Sequence, residues 1–188
     1  MLRKGKFVSD NPQGLESVRY LDTKKKRRYL TIPEGFKNTQ DYEEGRIKHV
    51  KIAIQTAMGE NDCNAHDGFD YIHRLVQRQV DAGADFIDLN VDEVSLRLDE
   101  QKKAMEWLVN TVQQISAVPL SVDSSNSEII QAGLEAGDTP SSGRMLLNSA
   151  SLERLEALDL VKQHMAKVIV TAAGESGMPQ DDEERISN

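Results

Sequence analysis

From about His49 onward, short apolar runs alternate with helical stripes, and this alternation restricts the fold of the 188-residue chain more than any other feature. His49–Met58 reads as a strand, with Val50, Ile52 and Ile54 at alternate positions. A helical stripe of Phe69, Ile72, Val76 and Val80 follows and stops at Ala82-Gly83. A strand is expected over Asp85–Val91, then a helix from about Glu100 to Ile115 with Ala104, Trp107, Leu108, Val112 and Ile115 on one face. Pro119–Val122 reads as the next strand. Ser125-Asn126-Ser127-Glu128 has the spacing of a capping box and opens a helix that ends over Gly133–Gly137. Arg144–Leu147 and Val168–Thr171 read as strands around a helix over Leu152–Met165 that carries Leu152, Leu155, Leu158 and Val161 as its apolar stripe. Five strands in βα alternation call for a parallel sheet covered by helices, with right-handed crossovers.

Two architectures satisfy this pattern: a five-stranded doubly wound sheet, and a (β/α) barrel of the TIM type represented by about five of its units. The strand ends separate them. Four successive strands finish on polar residues, in Ile87-Asp88-Leu89-Asn90, Ser121-Val122-Asp123-Ser124, Leu147-Asn148-Ser149 and Val170-Thr171. A doubly wound sheet needs chemistry only where its strand order reverses, whereas every carboxyl end of a barrel surrounds one pocket. The barrel is therefore expected. Asp181-Asp182-Glu183-Glu184-Arg185-Ile186 resembles the acidic first turn of a further helix, so the barrel is expected to be incomplete. Its open edges, near Ile52 and Ile169, should then invite a homo-oligomer or a complementing chain.

Residues 1–48 have a different texture. They lack sustained periodicity and carry Pro12, Gly14, Pro33, Gly35 and Gly45, which reads as a loop-rich arm with one short strand at Tyr29–Ile32, ahead of a barrel portion over 49–188. The arm is basic, with 12 Lys/Arg against 7 Asp/Glu, while the remaining residues hold 11 against 24. An acidic body of this kind repels nucleic acid phosphates. Lys24-Lys25-Lys26-Arg27-Arg28 is the one basic cluster and reads as a solvated charge run. No stretch approaches the ~18 apolar residues of a membrane span, and the basic Met1–Lys6 is not followed by an apolar signal segment. With Cys63 as the single cysteine, a cytoplasmic protein without an internal disulfide is expected.

Asp88, Asn90, Asp123 and Asn148 would converge on the mouth of such a barrel. These strand ends carry no His, Cys or Lys, which argues against nucleophilic and Schiff-base schemes. Carboxylates and carboxamides suit a flat heterocycle with alternating donors and acceptors, because an ionised Asp accepts two parallel hydrogen bonds and Asn both donates and accepts. Cys63-Asn64-Ala65-His66 with Asp62 and Asp67 offers too few N/S ligands for a structural zinc set. His73 and His164 lie in helical stretches and read as packing or surface residues.

The runs Gly83-Ala84-Asp85-Phe86-Ile87-Asp88-Leu89-Asn90-Val91-Asp92-Glu93, Pro119-Leu120-Ser121-Val122-Asp123-Ser124-Ser125-Asn126 and Leu147-Asn148-Ser149-Ala150-Ser151 resemble the pterin-binding (β/α)8 family. Its members include dihydropteroate synthase, the folate domain of cobalamin-dependent methionine synthase, and methyltetrahydrofolate:corrinoid methyltransferases. The Asp-x-Asn of Asp88-Leu89-Asn90 resembles the methyltransferases, whereas a dihydropteroate synthase would have glycines after the Asp. Ala104–Val109 is similar to a helix of the corrinoid methyltransferases. The resemblance implies that Asp123 and Asn148 hydrogen-bond the pterin ring, with Asp88 and Asn90 shaping the pocket floor. It implies methyltetrahydrofolate as substrate and a corrinoid protein or domain as partner, with no metal bound by this chain. The alternatives it leaves are a non-catalytic pterin-binding or assembly subunit and a dihydropteroate synthase-like enzyme. Met58-Gly59-Glu60-Asn61 would stand for the family's Gly-Glu at the end of the first strand. The family's sixth-strand Asp and seventh-strand Asn have no counterpart in these 188 residues.

Overall fold

A computed structural model describes residues 1–59, 64–137, 145–174 and 177–187, and divides the chain into two units, Met1–Ala82 and Gly83–Asn188. In the first unit, residues 1–48 form regular structure where a loop-rich arm was expected. The elements are β1 (Leu2–Arg3), α1 (Lys4–Phe7), β2 (Val8–Asp10), β3 (Glu16–Leu21), β4 (Arg27–Thr31), α2 (Glu34–Lys37), α3 (Gln40–Glu43) and β5 (Arg46–Ile47). Strands β2, β3 and β4 make an antiparallel sheet in that order, and β1 pairs with β5. Val18 and Leu30 face each other across β3 and β4, both fully buried. One such buried pair between two strands leaves no periodic signal in either strand alone, which is why the sheet is not legible locally.

The basic run forms the tip of the β3–β4 hairpin. Asp22 accepts the backbone N–H groups of Lys24 and Lys26 at 2.9 and 2.8 Å and the Arg28 guanidinium at 3.1 Å. Burial opposes the Asp22 charge, yet the hydrogen bonds from Lys26, Arg28 and Lys24 hold its carboxyl below the usual range. The run thus contains the cation and the N–H groups that fix its own turn.

His49–Met58 is helix α4, not a strand, and Ala65–Asp81 is helix α5. A strand would have put Val50, Ile52 and Ile54 on one face; instead Val50 is 39% exposed while Ile52, Ala53 and Ile54 are buried in succession. The alternation over three residues was too short to distinguish the two periods. Contact between α4 and α5 explains the helix: a Cβ on Gly68 would lie 2.6 Å from both the Ala53 carbonyl oxygen and the Ala57 nitrogen. The small residues let the two backbones approach, burying Ile52, Ile54, Ile72 and Val76. Gly83, at φ +78°, follows the end of α5 as expected for a left-handed stop.

His49 lies at the start of α4, with Nδ1 3.0 Å from the Tyr71 hydroxyl. Burial, reinforced by the charges of the N-terminal amine and Arg78, pushes the imidazole down to about 4, and burial raises the Tyr71 hydroxyl to about 12. At neutral pH the hydroxyl therefore donates to an uncharged ring. Unfolded His49 takes up its proton near 6.5 and the folded ring only near 4, so stability present above 6.5 is lost as pH falls through that window. The loss approaches ~1.4 kcal/mol per pH unit at most. Urea denaturation at pH 7, 5.5 and 4.5 should show a smaller pH slope in His49→Phe than in the wild type; equal slopes would remove His49 as the source.

The second unit carries βα alternation in four strands: β6 (Ile87–Asn90), α6 (Leu98–Ile115), β7 (Leu120–Asp123), α7 (Ser127–Ala136), β8 (Met145–Ala150), α8 (Glu156–His164), β9 (Lys167–Val170) and α9 (Asp182–Ser187). The sheet is parallel, in the order β6-β7-β8-β9. Its order follows the chain without a reversal, as in a (β/α) barrel and unlike a doubly wound sheet. With α4 in place of a first strand, the edges of this sheet are β6 and β9, not the neighbourhood of Ile52. Leu152–Arg154 forms a short 3-10 turn ahead of α8, and Leu152 and Leu155 are exposed where a packed helical face was expected. Arg144, placed at the start of β8 from sequence, lies outside the described residues.

One face of this sheet packs on helices; the other carries a run of polar residues toward the carboxyl ends of β6–β8, with Leu146 and Ile169 beside them. Ile87 and Leu89, Leu120 and Val122, and Met145 and Leu147 are buried. Helix α7 comes so close that a Cβ on Gly133 would lie 2.7 Å from Val122 Cγ1 and 2.9 Å from Met105 Cγ of α6. The strand period then turns Asp88, Asn90, Ser121, Asp123 and Asn148 to the opposite face. Parallel sheets are ordinarily apolar on both faces, so a polar row on this face makes it the candidate site.

Candidate functional site

Strand pairing aligns the four sequence-identified residues. Asn90, Asp123 and Asn148 are consecutive register partners across β6, β7 and β8, and Asp88 lies two residues below Asn90 on β6. Each stands at or near the carboxyl end of a strand, where backbone pairing stops and side chains gain access to solvent. Asn90 Nδ2 donates to Asp123 Oδ2 at 3.0 Å, and Asn148 Nδ2 donates to Asp88 Oδ1 at 3.4 Å. All four residues are thereby brought together in two amide–carboxylate pairs.

The second pair bears on the curvature. Asp88 and Asn148 sit on β6 and β8, strands separated by β7, and neighbouring strands run ~4.8 Å apart. Contact between side chains of alternate strands is the layering of a barrel interior. A flat sheet would hold them apart. Beneath this pair, Ser121 aligns with Asp88 on β7. Its hydroxyl is buried, and its Oγ has no hydrogen-bond partner among the described residues, an uncommon condition for a buried polar atom. Beyond Asn148, the β8–β9 ladder shifts register between Asn148 and Ala150, and bulges of this kind re-aim side chains beside binding sites.

Residues following the strands complete the arrangement. Asp92, just beyond β6, accepts the Ser124 hydroxyl and, through Oδ2, the Ser125 N–H and hydroxyl at 3.0 and 3.1 Å. Its own N–H donates to Asn90 Oδ1 at 3.0 Å. Arg154 donates to the Ser124 carbonyl at 3.0 Å and to Ser149 Oγ at 3.3 Å, tying the segments after β7 and β8 together. Helix α7 is capped by Asn126, whose Oδ1 accepts the Glu128 N–H at 2.8 Å. The expected capping box had Ser125 in that position, but its hydroxyl is taken by Asp92. Asp92, Ser121 and Arg154 were not singled out from sequence. Asp92 had a visible signal, the Asp-x-Asn-x-Asp spacing that puts it two residues after Asn90.

Other expectations fall elsewhere. Glu60, Asn61, Asp62 and Cys63 lie outside the described residues, and Met58 closes helix α4 rather than a strand. His66 and Asp67 fall in the first turn of α5, and no cluster of three metal-ligating side chains occurs among the described residues. A cavity of about 240 Å³ in the second unit lies at the amino ends of the strands, between Ile115, Val118, Leu120 and Met145, away from the polar row. No helix among the described residues is long and apolar enough to cross a membrane.

Carboxylates and carboxamides in register can receive a planar ring edge-on, with acceptors set against its N–H groups. A match to a protein-family model agrees with that chemistry. It covers residues 64–187, from the start of α5 through the whole parallel sheet, and the family is that of pterin binding enzymes. With the incomplete TIM-like sheet, the polar strand ends and this match in agreement, the chain belongs to the pterin binding enzyme family.

Proposed function

We propose that the protein binds the pterin of methyltetrahydrofolate at the carboxyl ends of β6–β8 and takes part in transfer of its N5 methyl group to a corrinoid protein. The observation that carries the reading is the Asn90–Asp123–Asn148 row, with Asp123 held by Asn90 at 3.0 Å. Asp123 accepts the paired N–H donors of the pterin, and Asn148 offers a donor and an acceptor beside it. The Asp88-Leu89-Asn90 sequence supports methyl transfer over dihydropteroate synthesis.

A tertiary amine is a poor leaving group, so N5 must gain positive charge before its methyl carbon departs. The site contributes by favouring that protonated state over the ground state. Asp88 and Asp123 supply negative potential around the ring, and Asn148 gives an ordered water or the ring a polar partner. The corrinoid, carried by a partner protein, supplies the methyl acceptor, while the strand ends orient the donor.

Calorimetric titration of the full-length protein with methyltetrahydrofolate, and in parallel with the pterin substrate of a dihydropteroate synthase, tests this reading. Preferential binding of methyltetrahydrofolate, with appearance of methylcorrinoid absorption on adding a reduced corrinoid protein, is the expected result. Preference for the other pterin would favour the synthase alternative, and binding of neither would end the proposal.

A further inference from the structure

We infer that Asp92 is a positioning residue of this site, acting on the Asp123 carboxylate through Asn90; the inference rests on the pterin reading above. The Asp92 N–H donates to Asn90 Oδ1 at 3.0 Å, and Asn90 Nδ2 donates to Asp123 Oδ2 at 3.0 Å. These two bonds define the orientation of the Asn90 amide. Turning it over would place Oδ1 against a carboxylate oxygen and Nδ2 against an N–H, replacing two hydrogen bonds with two repulsive contacts.

Asp92 is itself anchored on the far side of the site. Its carboxylate accepts the Ser124 hydroxyl and the Ser125 N–H and hydroxyl, the two residues that directly follow Asp123. One residue therefore holds both the amide that contacts Asp123 and the backbone leaving Asp123. The Asp92 N–H, the Asn90 amide and the Asp123 carboxylate form a loop that the chain through Ser124 and Ser125 closes onto the Asp92 carboxylate. One N–H and one lone pair of the Asn90 amide are used within this loop, which fixes its orientation and holds Asp123 Oδ2. The Oδ1 atom and the remaining lone pair of Oδ2 are left for two parallel donors. A ring edge with adjacent N–H groups, such as an aminopyrimidinone, matches that pair.

A double-mutant cycle tests the assignment. Methyltetrahydrofolate affinity is measured by calorimetry on the full-length protein, on Asp92→Asn, on Asp123→Asn and on the double variant, with Asn90→Ala beside them. Asp92→Asn keeps the N–H but puts an amide where the carboxylate received three donors. It is expected to weaken binding by roughly fivefold to tenfold and to add little once Asp123 is changed, because residues in one hydrogen-bond network couple. Asn90→Ala should behave in the same way without disturbing the Ser124 and Ser125 contacts, so it decides the matter if Asp92→Asn does not fold. Unchanged affinity in both variants, or equal losses with and without Asp123, would overturn the assignment. Unchanged affinity in Asp123→Asn would instead remove Asp123 from the site and the assignment with it, whereas failure of the unaltered protein to bind methyltetrahydrofolate would overturn the pterin reading itself.

Discussion

Asp123→Asn is expected to lower methyltetrahydrofolate affinity by at least about tenfold, the loss that accompanies a mismatched hydrogen bond to a charged group. The wild-type carboxylate is acceptor-only, and Asn90 Nδ2 already donates to its Oδ2 at 3.0 Å. An amide at position 123 must present either its oxygen or its nitrogen to Asn90. If the oxygen keeps that bond, the nitrogen points at the ligand and sets donor against donor. If the nitrogen turns inward, it meets the Asn90 amide hydrogens. Neither orientation preserves both contacts. Stability should change little, since Asp123 lies at the end of β7 and only half-buried, with the apolar face of that strand untouched. Calorimetry beside a thermal melt checks both parts; normal affinity would remove Asp123 from the site.

The largest effect on stability is expected from Gly68→Val. A side chain at this position begins 2.6 Å from the backbone of both Ala53 and Ala57, atoms that cannot rotate away. Helices α4 and α5 would have to separate, opening the contact that buries Ile52, Ile54, Ile72 and Val76. Overpacking ordinarily costs about 1–3 kcal/mol, and a clash with main chain on two sides belongs at or above the top of that range. A urea midpoint shift should report it. Gly5→Ala is the control, because nothing lies within 4 Å of its added Cβ; equal shifts in the two variants would mean that the α4–α5 approach does not support the first unit.

The two variants probe features of unequal visibility in the amino-acid order. Strands β6 to β8 and helices α5 to α7 are legible within a few residues, because buried apolar side chains recur with period 2 or 3.6 and helix stops such as Gly83 act locally; β9 and α8 show the same apolar spacing, although β9 buries none of its residues and α8 only Ala157. Asp88, Asn90, Asp123 and Asn148 were legible for the same reason: a polar residue ending an apolar run stands out without knowledge of its neighbours. Helix α4 was misread, since three alternating apolar residues fit both periods and the close approach of Gly68 that selects the helix comes from the next element. The antiparallel sheet of residues 1–48 is not legible because its core is made by pairs such as Val18 and Leu30, which are buried against each other only once the strands have met.

Which of these polar residues pair with one another is decided by the fold. Asn90 and Asp123 are 33 positions apart and Asp88 and Asn148 are 60 apart, so no local pattern shows which amide serves which carboxylate. That assignment follows from parallel register, which sets Asn90 beside Asp123 and Asp123 beside Asn148, and from the approach of β6 and β8 that lets Asn148 reach Asp88. The network of Asp92 with Ser124 and Ser125 depends likewise on two strands ending at one level. Local chemistry selects which residues are polar and which elements carry them; hydrogen-bond partners depend on distances that exist only after the sheet has formed.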